Sequence, residues 1–78
     1  MIDGVAIKHG HKVYKLPKPN SHKDLLEAHP RIESGVRGFY TNQGEFLERP
    51  AALKHAIHAG QLRHPTKIKG QLHSEDLW

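Results

Sequence analysis

Apolar positions in this chain come in short clusters, and the spacing inside each cluster, with the Gly, Pro and Asn residues between them, predicts the elements. The clearest run starts at Gly38. Phe39, Tyr40 and Thr41 favour a strand, Asn42-Gln43-Gly44 makes a turn in which Gly44 can take positive φ, and Phe46-Leu47 resumes the strand. Residues 38–47 therefore predict a β-hairpin. Its register is open at this level: a two-residue loop sets Phe39 opposite Phe46, whereas a three-residue loop with a bulge at Gly44 sets Phe39 opposite Leu47. Directly afterwards, Glu48 or Arg49 caps a helix whose first turn holds Pro50 and whose end is marked by Gly60. On helical spacing Ala52, Leu53, Ala56 and Ile57 share one side and Lys54, His55 and His58 the other, so the helix is expected to lie on the hairpin with its histidines outward.

Nearer the amino end, Gly4-Val5-Ala6-Ile7-Lys8 and Lys12-Val13-Tyr14-Lys15-Leu16 read as two strands joined around His9-Gly10-His11, a second hairpin. Pro17-Lys18-Pro19-Asn20 forces an extended link. Ser21 and Asp24 then have the spacing of a capping box, with Asp in place of Glu, for a helix through Leu25, Leu26 and Ala28 that Pro30 stops. Residues 31–35 read as a loop. Beyond Gly60 the chain is basic, with His64-Pro65 at a bend, Lys67-Ile68-Lys69 suited to a short edge strand, and Leu72, Leu77 and Trp78 expected to pack inward. His73-Ser74-Glu75-Asp76 reads as an ordering turn. The expected fold is α+β: one domain over residues 1–78, a small antiparallel sheet built from two β-hairpins, and two short helices packed on one face.

The string G-F-x-T-x-x-G-x-F-x-x-R-x-x-A-x-x-x-A-x-x-A-G-Q, running from Gly38 to Gln61, together with Ser74-Glu75-Asp76-Leu77-Trp78 at the end, resembles a group of small proteins encoded by bacteriophages and prophages. The resemblance covers about half the chain. In that group the arginine is usually followed by acidic residues, whereas Pro50-Ala51 follow Arg49 here. The resemblance implies a phage setting, in which short accessory proteins bind and disable host machinery. It carries over no catalytic residues.

Composition narrows the function classes. A chain of 78 residues buries roughly 60% of its unfolded surface, which leaves room for a shallow site or an interface rather than a deep enclosed pocket. There is no Cys, hence no disulfide framework and no Cys-based zinc site, and no apolar run approaches a membrane span. The amino terminus lacks a secretory pattern, so the expected location is the cytoplasm of the host bacterium. Lys and Arg number 12 against 8 acidic residues, for a net +4 to which protonation of the 8 histidines would add. That balance argues against a carboxylate-rich mimic of DNA. It suits an anionic partner, and it equally serves simple solubility.

Candidate chemistry is sparse. His9 and His11 share a face of an extended segment and His55 and His58 lie one turn apart, so a four-His metal site is conceivable, but the two pairs are distant in sequence and no carboxylate is placed to orient them; no metal and no cofactor are expected. His22 and His29 flank Leu25 and read as half-buried packing residues. Ser21 reads as a cap, Ser34 and Ser74 have no neighbouring motif, and no phosphate-cradling glycine loop is present, so an enzyme is not expected. Tyr14, Phe39, Tyr40 and Phe46 lie on predicted strands amid Lys8, Lys12, Lys15 and Arg37, the arrangement that stacks and holds single strands. The leading reading is a phage-encoded, non-enzymatic binding protein that antagonises a host defence complex, a CRISPR effector for instance, by covering a functional surface. Its partner would be a host protein or ribonucleoprotein. The alternative is a sequestering module for nucleic acid or an anionic nucleotide. The partner-binding residues expected are Arg37, Tyr40, Lys54, His55, His58, Arg63 and Lys67: the exposed cations of the second helix and of the basic segment after it, plus one aromatic and one Arg of the central hairpin.

Overall fold

The structure, a computed structural model, describes residues 1–63 and 72–78. Strands β1 (Ile2–His9) and β2 (Lys12–Pro17) form the first hairpin, and β3 (Val36–Thr41) and β4 (Phe46–Glu48) the second. Helix α1 (His22–Ala28) lies between the hairpins and α2 (Arg49–Ala59) follows β4, with short 3-10 turns at Pro30–Ile32 and Ser74–Asp76. All pairings are antiparallel and the sheet order is β2-β1-β3-β4, so β1 against β3 joins the hairpins. The α+β architecture expected from the sequence is the one observed.

Local chemistry accounts for the elements. Ser21 and Asp24 form the reciprocal capping box that starts α1: Ser21 N–H donates to Asp24 Oδ2 at 2.8 Å, and Asp24 N–H donates to Ser21 Oγ at 3.3 Å. In the second hairpin, Phe39 pairs with Leu47 and Tyr40 with Phe46. This is the three-residue-loop register. Thr41 selects it: its N–H donates to Glu45 O at 2.9 Å, its Oγ1 accepts from the amides of Gln43 and Glu45, each at 3.2 Å, and Gly44 sits at φ 80°. Gly60, at φ 67°, closes α2 in the left-handed conformation. Glu48 occupies the N-cap position of α2 without a side-chain hydrogen bond.

The core lies on one side of the sheet. Ile2, Val5, Ile7 and Phe39 point into it and meet Leu25 and Ile32 from the α1 region, Ala52 and Ala56 from α2, and Leu72 and Leu77 from the carboxy-terminal segment. A bulge between Ile2 and Gly4 turns Ile2 to the side that Val5 faces. Trp78 is half-buried over the same core, and its indole N–H donates to Asn20 O at 3.0 Å.

Several expectations need correction. Ile57, expected inward, is 57% exposed. Ala52 and Ala56 are the buried residues of α2 and set its contact seam; Ile57 stands roughly 120° round the helix from it, while Leu53 and His55 flank it half-buried. His55 is thus less outward than expected, while His58 and Lys54 are exposed. His22, expected half-buried, is buried, and His29 is exposed, its ring 4.9 Å from that of Tyr14. The loop expected over 31–35 opens with a 3-10 turn that buries Ile32. The bend at His64-Pro65 and the edge strand at Lys67-Ile68-Lys69 fall outside the described residues.

Candidate nucleic-acid interface

Among the described residues no helix lies over the second face of the sheet, to which strand alternation turns every other residue. Across β2, β1, β3 and β4 this face presents Val13 and Lys15, then Gly4, Ala6 and Lys8, then Val36, Gly38 and Tyr40, then Phe46. Two aromatic rings cover its centre. A Cβ at Gly4 would stand 2.5 Å from Cε1 and 2.6 Å from the hydroxyl of Tyr40, and one at Gly38 would stand 2.8 Å from Cζ of Phe46. Each ring therefore lies across a glycine of the neighbouring strand, in space that any other residue would fill. Ala6, between them, is fully buried under this cover.

The two rings come from directly paired positions, Tyr40 and Phe46, and both are half-buried, with one side packed on backbone. The Lys15 ammonium sits 5.4 Å from the centroid of the Tyr40 ring, within cation–π range. Burial, and then the nearby Asp3 carboxylate, push the Tyr40 hydroxyl above its ordinary pKa of 10.0, so the phenol is neutral at physiological pH. Beside Phe46 the face opens into a shallow hollow of about 480 Å³ lined by Lys8, His9, Ser34, Val36 and Glu48. Such a surface can stack planar groups on Tyr40 and Phe46 and hold phosphates with Lys8 and Lys15. Asp3 and Glu48 mark its acidic limits.

The residues expected to bind a partner are divided among three places. Tyr40 is on the open face. Arg37 is half-buried on the opposite face, because positions three apart on a strand point to opposite sides, and it lines a hollow between the starts of α1 and α2. Lys54, His55 and His58 are on α2, and the exposed Arg63 donates its backbone N–H to Asp76 O at 2.9 Å. Lys67 lies outside the described residues. Tyr14, the other candidate platform, is on the helix side, packed against the core with Lys12 Nζ 5.3 Å from its ring centroid. Among the described residues no three His, Asp or Glu side chains are placed to hold a metal ion. Phe46 and the two glycines were absent from the expected set; their signal was a glycine two positions from Tyr40 and another across the sheet, legible only with the register known.

The phage T4 y16D protein family matches residues 5–78, nearly the whole chain. The protein belongs to that family. Searches of curated proteins and of solved structures find no match. Membership places the chain among phage proteins, and among the described residues of this family member no helix is long and apolar enough to cross a membrane.

Proposed function

We propose that this member of the y16D family is a non-enzymatic binding protein that takes single-stranded nucleic acid across its open sheet face, and that the strand it meets belongs to a host defence ribonucleoprotein, a CRISPR effector for instance. The observation that carries the reading is the pair of rings, Tyr40 and Phe46, laid across Gly4 and Gly38 with Lys15 beside them. A π face presented on backbone accepts any base, and stacking contributes about 1–3 kcal/mol per base. A duplex keeps its bases stacked inside, so this face should prefer single strands. The net charge of +4 and the phage family support an anionic partner in an infected cell.

Fluorescence anisotropy with labelled single-stranded and duplex oligonucleotides tests this. At physiological ionic strength, about 0.15 M, the single strand should bind and the duplex bind more weakly. Tyr40→Leu keeps the cover over Gly4 but removes the π face, and should weaken binding roughly five- to hundredfold. Equal affinity for duplex and single strand, or retention of a host protein with no oligonucleotide binding at all, would sink the proposal.

A further inference from the structure

On the helix side of the sheet, remote from Tyr40 and Phe46, segments distant in the chain converge on a hollow of about 390 Å³. The start of α1 contributes Ser21, His22 and Lys23, β3 contributes Arg37, α2 opens with Arg49, and the carboxy-terminal segment adds His73 and Ser74. No described lining residue is Asp or Glu. His22 anchors the floor: its ring is buried edge-on against Phe39 at 5.0 Å between centroids, and Nε2–H donates to Gly38 O at 2.7 Å. That bond fixes the proton on Nε2, since a carbonyl oxygen only accepts.

One lining residue, Arg49, carries a polar group that the described residues leave without a partner. Arg49 Nε is buried and has no hydrogen-bond acceptor among the described residues. Buried donors are ordinarily paired, and an unpaired guanidinium nitrogen among further cations is the arrangement that an anion completes. Three permanent charges, Lys23, Arg37 and Arg49, meet here with two histidines, and among the described residues Arg49 and Arg37 each act on His22 as cations. Glu27 and Glu33 line an adjoining hollow that shares His22, Lys23 and Arg37 but not Arg49.

We infer that the hollow between α1, β3, α2 and the carboxy-terminal turn is a binding site for a phosphate group, held by Arg37, Arg49 and Lys23. Planar guanidinium groups match the oxygens of a phosphate two at a time, and the volume, within the range of small-ligand sites, leaves room for part of the molecule that carries it. The site stands on a different observation from the stacking face and on the other side of the sheet, so either can fail without the other.

The full-length protein is titrated at constant ionic strength with inorganic phosphate, with a nucleoside 5′-monophosphate and with the nucleoside lacking phosphate, following the Arg Nε–H and His ring signals by NMR. The two phosphates should produce saturable shifts at Arg49 Nε–H and His22, and the bare nucleoside none. Tighter binding of the monophosphate would assign the group to an ester, and equal binding to free phosphate. Arg49→Gln should weaken binding about ten- to hundredfold, and the exposed Lys23→Gln should weaken it without a change in thermal midpoint; Tyr40→Leu should leave it intact. Absence of any saturable shift, or unchanged affinity in both Arg49→Gln and Lys23→Gln, overturns the site.

Discussion

His22 shows how one buried side chain ties stability to pH. Burial is the largest influence and lowers its pKa from 6.5; the hydrogen bond to Gly38 opposes this, and Arg49, Arg37 and His73 lower it further. The unfolded chain therefore takes up this proton at higher pH than the folded chain does. The contribution of His22 is fully present above the unfolded value, near 6.5, and is lost as pH falls through the folded value, at no more than about 1.4 kcal/mol per pH unit. His22→Gln can keep the donor to Gly38 O and cannot titrate, so its thermal midpoint should fall less than that of the parent between about pH 7.5 and 5.5; parallel curves would show that His22 takes up its proton equally in the folded and unfolded states. A second residue-scale test concerns Gly4. A methyl group there would meet the carbonyl of Leu16 and the ring of Tyr40, and overpacking of this kind costs about 1–3 kcal/mol. Gly4→Ala should lower the thermal midpoint by roughly 4–8 °C for each of those kcal/mol and displace the Tyr40 ring, visible in its NMR shifts.

Elements are held by short-range devices with separable effects. Removing the Ser21 hydroxyl from the capping box, by Ser21→Ala, should cost about 1 kcal/mol in urea unfolding, with no change in the hairpins. The clamp on β1 is longer-ranged. Gln61, directly after the left-handed Gly60, accepts from Ile2 N–H at 2.6 Å and donates to Ile2 O at 2.9 Å, so one side chain satisfies both backbone groups of a buried residue beside the bulge. Gln61→Ala leaves both without a partner, and should cost about 1–3 kcal/mol and speed amide exchange at Ile2; unchanged slow exchange in the variant would show that this clamp is not what protects the Ile2 amide. The Gly60-Gln61 pair thus stops a helix and ties it to the first strand.

At the scale of the whole molecule, the carboxy-terminal segment completes the core. Leu72 is fully buried and Leu77 nearly so, with Trp78 covering their edge and bonded to Asn20. Burying one such side chain contributes about 1.5–3 kcal/mol, a large share of the stability of a small domain. A chain ending at Gly70 should melt at least roughly 10 °C lower, or fail to melt cooperatively. An unchanged melting curve would show that this segment is dispensable to the fold. The segment also supplies His73 and Ser74 to the lining of the basic hollow, so the truncation should weaken phosphate binding even in whatever fraction stays folded.

Ser21 with Asp24, the Thr41–Gly44 turn, Pro50 in the first turn of α2 and Gly60 at its end were legible in the chain because each acts on neighbours within about four residues, where sequence separation and spatial distance are the same thing. The same holds for the inward packing of Leu72, Leu77 and Trp78, since a thin core leaves large apolar groups no other place. Tertiary structure decided the rest. Phe39 and Tyr40 are consecutive and opposed, and only the pairing of β3 with β1 and the seat of the helices chose Phe39 for the core and Tyr40 for the open face. The bulge beside Asp3 re-aimed Ile2, a one-residue shift that alternation cannot foretell. Ile57 lost its place in the core because two alanines, small enough to let α2 approach the sheet, set the rotation of the helix. Arg37, Arg49, His22 and His73 come together from four segments whose separations in the chain carry no information about their distances in space, and it is this convergence, rather than any motif, that makes the hollow basic.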